Sequence, residues 1–95
     1  MEIETVRNKS LRAFLETGKP KGIDSKIAGR IRNMIALLMA AKDADELKVP
    51  PNFGFHWLVG DRAGTAAMVL TKNWRLTFRV SDNVSIIDLD LEDYH

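Results

Sequence analysis

The chain has no cysteine, so no disulfide staples it and no Cys-ligated zinc site can form. Histidine is nearly as scarce. His56 and His95 are the only two, too few for a persuasive zinc site without carboxylate help, and neither a metal nor another cofactor is expected. No apolar run approaches the ~18 residues that cross a bilayer, so no membrane partner is expected. The opening Met1-Glu-Ile-Glu-Thr-Val-Arg7 is charged where a signal peptide would be apolar. Phosphate-cradling Gly-rich loops, nucleophile elbows, repeats, linkers and low-complexity segments are all missing. What remains is 95 residues, 45 % hydrophobic and 28 % charged, which suits a single globular domain over 1–95. A domain this small without staples relies on its core, or on a partner that covers part of it; the cytosol fits best.

A formal net charge of +1 conceals an asymmetry. Arg7, Lys9, Arg12, Lys19, Lys21, Lys26, Arg30 and Arg32 face only Glu16 and Asp24 in the same stretch. Val80 to His95 carries no Lys or Arg, but holds Asp82, Asp88, Asp90, Glu92 and Asp93. Such halves are often just two solvated faces. The functional alternative is a basic half that meets phosphates and an acidic segment that does not.

Periodicity splits the chain into helices followed by strands. Leu11, Phe14 and Leu15 sit at i, i+3 and i+4, and Gly18 with Pro20 ends that helix. Asp24 or Ser25 can cap a second helix with Ile27, Ile31, Met34, Ile35, Leu38 and Ala41 in one stripe. Gly29 is a mild cost within it, and Pro50-Pro51 forbids further helix. Beyond the prolines Phe53, Phe55, Trp57 and Val59 alternate, 65–71 is an apolar run, and Trp74, Leu76, Phe78 and Val80 alternate again. Turns fall at 60–64, 71–73 and 81–83, and Val84 to Leu91 reads as the last strand. Its phase breaks between Ile86 and Ile87, which suggests a bulge or burial on both faces. The expected fold is α+β: two N-terminal helices on an antiparallel sheet of about four strands, with 1–6 a candidate edge strand.

Arg75, Thr77 and Arg79 share one face of a strand, where guanidiniums suit a polyanion lying across the sheet. Pairing with Asp88 or Asp90 of the neighbouring strand is the plain alternative. His56 is out of phase with Phe55 and Trp57, hence on the solvent side if those two are core; a lone strand histidine is more often incidental than catalytic. The closing Asp93-Tyr94-His95 is a loose tail, a purification scar or part of a site. Taken together, imidazoles, arginines, a phenol and a carboxylate are what RNA transesterification requires. A base takes the 2′-hydroxyl proton, a cation meets the charge on phosphorus-bound oxygens, and an acid protonates the leaving 5′-oxygen.

These residues also carry a family resemblance over nearly the whole chain. It shows in Arg7-Asn-Lys-Ser-Leu-Arg12 leading to Glu16-Thr-Gly-Lys-Pro-Lys-Gly-Ile23, and in Phe55-His-Trp-Leu-Val-Gly-Asp-Arg62. It continues in Asn73-Trp-Arg-Leu-Thr-Phe78 and the closing Asp93-Tyr94-His95. The chain resembles the HigB-type toxins, plasmid-maintenance killer proteins of the RelE/ParE superfamily, and the match of its last residues argues that they are native. The resemblance implies a ribosome-dependent, metal-independent messenger-RNA endonuclease. It also implies a HigA-like helix-turn-helix antitoxin that silences the toxin and carries the complex to operator DNA. Carried over by position, catalysis falls on His56, Arg75, Asp93, Tyr94 and His95. The phosphate contacts expected from charge are Arg7, Lys9, Arg12, Lys19, Lys21, Lys26, Arg30 and Arg79. One departure is that Val59 stands where similar toxins often carry lysine, which implies weakened phosphate binding. Two alternatives stay open: a ParE-like toxin of the same fold acting on another target such as DNA gyrase, and a degenerate regulatory or RNA-binding module. Against an RNA-binding sheet of the RRM type, Trp57 and Trp74 look committed to the core.

Overall fold

The structure is a computed structural model that describes residues 1–93. Helix α1 (Lys9–Thr17) begins where the Asn8 side chain accepts the Leu11 N–H at 2.8 Å. It ends at Gly18, whose φ of 75° is the left-handed conformation that glycine adopts without steric cost. Helix α2 (Ser25–Ala40) is capped by Asp24, which accepts the Lys26 N–H at 2.9 Å. At its other end the Met1 ammonium donates to the carbonyls of Leu38 and Met39, both at 3.0 Å, and of Ala41. A cation on the last turn satisfies carbonyls that the helix leaves without partners.

Burying the stripe Ile27, Ile31, Met34, Ile35 and Leu38 against the sheet supplies most of the helical half's stability. Each such side chain contributes roughly 1.5–3 kcal/mol when removed from water. Leu11 and Phe14 of α1 join the same core. From the sheet come Ala66, Met68, Leu76, Phe78, Ile86 and Leu89, so one face of the sheet is covered by both helices.

The sheet runs in the order β1-β5-β4-β3-β2, with β1 (Glu2–Ile3), β2 (His56–Trp57), β3 (Thr65–Val69), β4 (Trp74–Ser81) and β5 (Ser85–Asp93). Strands β2 to β5 form the expected antiparallel meander. The sheet as a whole is mixed and five-stranded, because β1 pairs with β5 in parallel. The opening residues fill an edge that would otherwise leave β5 groups unpaired: Glu4 N–H reaches Ile86 O at 2.8 Å, Leu89 N–H reaches Thr5 O at 3.0 Å, and Arg7 N–H reaches Leu89 O at 2.7 Å.

Two readings are corrected. The alternation from Phe53 to Val59 is not one long strand. Phe53 (φ 55°) and Gly54 (φ 67°) bend the chain, and only His56 and Trp57 pair with β3. Trp57 is accordingly not a core residue; it is 41 % exposed at the sheet edge, its ring edge-on to Phe55 at 5.5 Å. Val59 is 87 % exposed and continues no apolar face. Trp74, in contrast, packs half-buried against the core. The phase break in β5 is a bulge: Thr77 pairs with Asp90 but Arg79 with Ile87, three positions away on β5 for two on β4. Asp88 takes φ 54° within it, and the extra residue lets both Ile86 and Leu89 enter the core.

Candidate active face of the sheet

Directly paired residues project to the same side of a sheet, so the register assigns faces. His56 pairs with Ala67, Ala67 with Thr77, and Thr77 with Asp90. Two positions along β4, Arg75 pairs with Glu92, and Thr65 pairs with Arg79 on the other side. His56, Arg75, Thr77 and Arg79 therefore share the face turned away from the helices. His56 stands two strands from Thr77, about 10 Å at the usual strand spacing. Only the methyl of Ala67 lies between them in that row.

The imidazole of His56 is exposed, and its Nδ1 lies 2.8 Å from the Gly54 carbonyl oxygen. A carbonyl can only accept, so the proton of that contact sits on Nδ1, and in its neutral form the ring then has its lone pair on Nε2, the acceptor that a general base uses.

Glu92 is the centre of the polar face. Arg62 donates to it twice, Nη1 to Oε1 and Nη2 to Oε2, each at 2.7 Å. Arg75 Nη2 reaches Oε1 at 3.3 Å, and the Thr77 hydroxyl donates to Oε2 at 2.5 Å. The hydrogen bonds from Arg62 hold the carboxyl down at about 2; Thr77, the Arg62 charge and Arg75 act in the same direction against partial burial. The Arg62 guanidinium is raised in return, chiefly by its hydrogen bonds to Glu92. Arg62 belongs to a 3₁₀ turn (Gly60–Arg62) between β2 and β3 that folds over this face. Thr65 (8 %), Ala67 (0 %) and Thr77 (2 %) are buried on this face although no helix covers them.

A groove of about 390 Å³ opens beside this hub, lined by Arg7, Arg62 and Arg79, by Asp61, Asp88, Asp90 and Glu92, and by Thr65 and Thr77. Arg79 lies over Gly64, where a Cβ would come within 3.5 Å of its Nη2. The anticipated basic face is therefore mixed in sign, and Arg75 pairs with Glu92 rather than with Asp88 or Asp90. Arg62 and Glu92 are the pair that the sequence reading missed. They are thirty residues apart, and only the cross-strand position of Glu92 opposite Arg75 signals a partner.

The other expected phosphate contacts are not gathered here. Arg12 donates to the Val6 carbonyl at 2.8 and 3.3 Å. Arg30 lies 4.9 Å over the Phe53 ring and reaches Val69 O at 3.3 Å. Arg32 does likewise over Phe14 at 4.9 Å, with Gly18 O at 3.1 Å. Lys9, Lys19, Lys21 and Lys26 are exposed on the helices and the turn joining them. Of the basic first half, Arg7 alone lines the groove. Asp93 pairs with Trp74 at the end of β5, one register position past the Arg75–Glu92 pair. Tyr94 and His95 lie outside the described residues.

Two helices on one face of this five-stranded sheet, with a polar opposite face, define the RelE-type toxin fold. A YoeB/ParE toxin from Agrobacterium tumefaciens superposes over 100 % of both chains with a TM-score of 0.63 at 17 % identity. YafQ from E. coli gives 0.56 at 14 % identity, over 98 % of this chain and 90 % of that one. The toxin–antitoxin complex RelBE2 of Mycobacterium tuberculosis gives 0.51 at 19 % identity, over 94 % and 95 %. Sequence sharpens the assignment. The family described as the RelE-like toxin of type II toxin–antitoxin system HigB matches residues 4–95. The Endoribonuclease HigB of Proteus vulgaris is 30 % identical over 93 residues, 98 % of this chain and 99 % of that protein. The chain belongs to the HigB-like toxin family.

Proposed function

We propose that the protein is a ribosome-dependent messenger-RNA endoribonuclease that cleaves by attack of a 2′-hydroxyl on the adjacent phosphate. The observation that carries this reading is the ladder that sets the exposed imidazole of His56 and the Arg75 guanidinium on one face. His56 takes the 2′-hydroxyl proton, and the oxygen attacks phosphorus in line. Arg75 meets the charge that builds on the non-bridging oxygens of the phosphorane. A proton then goes to the leaving 5′-oxygen, and His95 is the donor in this scheme. Asp93 and Tyr94 complete the catalytic set that the family resemblance assigns by position. The products are a 2′,3′-cyclic phosphate and a free 5′-hydroxyl, so atoms and charge balance without a metal.

Arg7 and Arg79 extend the phosphate track along the groove. Lys9, Arg12, Lys19, Lys21, Lys26 and Arg30 add a salt-sensitive attraction to ribosomal RNA from the helical side. The toxin acts in the cytoplasm and is silenced by a HigA-like helix-turn-helix antitoxin, whose complex with it sits on operator DNA. Membership in a toxin–antitoxin family supports the antitoxin. Mapping message ends after incubation with translating ribosomes tests the activity: new 5′-hydroxyl ends should arise only with ribosomes present. Gyrase poisoning with intact messages would favour the ParE-like alternative.

A further inference from the structure

The polar face that should meet RNA is built around an anion. Glu92 stands between two guanidiniums and holds both, Arg62 by a two-pronged pair at 2.7 Å and Arg75 at 3.3 Å, while Thr77 fixes the same carboxylate at 2.5 Å. Two arginines brought this close repel each other, and a carboxylate between them offsets that repulsion. It also selects one rotamer for each. Arg62 needs that help most, because it sits on a turn with a side chain 44 % exposed. Untethered, its guanidinium would sample many orientations in water. Tethered, it donates one hydrogen from each Nη to Glu92 and keeps its Nε–H edge for another acceptor. The three groups sum to +1, the complement of one phosphodiester. Asp61, Asp88 and Asp90 line the same groove and repel a polyanion. A phosphate therefore needs cations focused at one point rather than spread along the face.

We propose that Glu92 is a positioning residue that holds Arg62 and Arg75 as a two-guanidinium cradle for a single RNA phosphodiester, with Arg62 a phosphate ligand of that cradle. The inference rests on the ribonuclease reading above and names the groups that meet the strand. It makes a prediction opposite in sign to bare charge. Glu92→Gln removes a negative charge and should, by simple electrostatics, tighten binding to RNA. A positioning role predicts that it loosens binding.

The test uses the isolated full chain and a short 2′-O-methyl RNA, which carries phosphodiesters but cannot be cleaved, with affinity read by fluorescence anisotropy at fixed salt. Glu92→Gln and Arg62→Ala should each weaken binding about tenfold, the scale of a misplaced contact group. The double variant should be little worse than either single one, because the carboxylate acts through the arginines. Guanidinium ion should restore binding to Arg62→Ala while Glu92 is present, and should fail when Glu92 is Gln. On translating ribosomes the same variants should lower kcat about tenfold or more. Unchanged binding by both variants at a temperature where both are folded would make the cluster merely structural. Tighter binding by Glu92→Gln would show that the carboxylate competes with phosphate, and an absence of wild-type binding would remove the site; each overturns the cradle. A wild type that binds with this pattern but leaves messages intact on ribosomes sinks the ribonuclease reading instead.

Discussion

Glu92 decides much of the residue-scale behaviour. Its carboxyl titrates at about 2 in the folded chain, against an ordinary value of 4.5. A depressed carboxyl stabilises the fold fully above its unfolded value and loses that contribution as pH falls through the folded one. Stability should therefore fall between about pH 5 and pH 2. The side chains of Glu92 and Arg62 are 21 % and 44 % exposed, so solvent screening holds the contribution to roughly 1–2 kcal/mol. Glu92→Gln should be less stable at pH 7 and lose less on acidification, so the two melting curves converge near pH 2. Parallel curves across that range, followed by circular dichroism, would show that Glu92 does not couple to folding. Val59 belongs to the same scale. With its side chain 87 % exposed ahead of the turn that carries Arg62, a lysine there disturbs no core. Val59→Lys should raise the cleavage rate at unchanged melting temperature; a rate that does not move would show that this position never meets the RNA.

At the scale of elements, what could be read from sequence was what short-range chemistry determines. The apolar stripe of α2, the Asp24 cap, the Gly18 stop and the turn at 81–83 all follow from neighbours a few residues apart, and each is present. Strand β2 was misjudged because the alternation of Phe53, Phe55, Trp57 and Val59 is genuine in sequence but is cut by two left-handed residues in space. The β5 phase break signalled a bulge or burial on both faces, without deciding between them or saying that Asp88 would take the bulge. The faces of His56 and Arg75 were legible by period two. The Arg62–Glu92 pair was not, since a contact across thirty residues leaves no periodic trace. The helix cap offers an independent check on α2. Asp24→Ala removes the acceptor of the Lys26 N–H and should cost about 1 kcal/mol by denaturant titration while leaving cleavage untouched. A much larger loss would show that the cap holds more of the fold than the first turn of α2.

For the whole molecule, the division of labour follows the two faces of the sheet. The helical side is hydrophobic, buried and stapled at its rim by Arg12, Arg30 and Arg32 onto carbonyls and rings, so those cations hold the fold in addition to any pull on RNA. The far side carries the exposed imidazole of His56 on β2 and the Arg75–Glu92 pair on β4 and β5, strands that keep reacting groups in fixed relation better than loops do, and Arg62 joins them from its turn. Among the described residues no helix is long and apolar enough to cross a membrane. The most direct measurement compares translating ribosomes incubated with the wild type, with His56→Ala and with Arg75→Ala, counting new message ends against time. The wild type should cut, and Arg75→Ala should be slower by roughly 10²–10³, the usual scale for one preorganised donor to a charged transition state. Arg75→Lys should recover only part of that, and all the variants should melt near the wild-type temperature. Arg75→Ala and His56→Ala proteins that cut messages at the wild-type rate would contradict the placement of the chemistry on this face of the sheet.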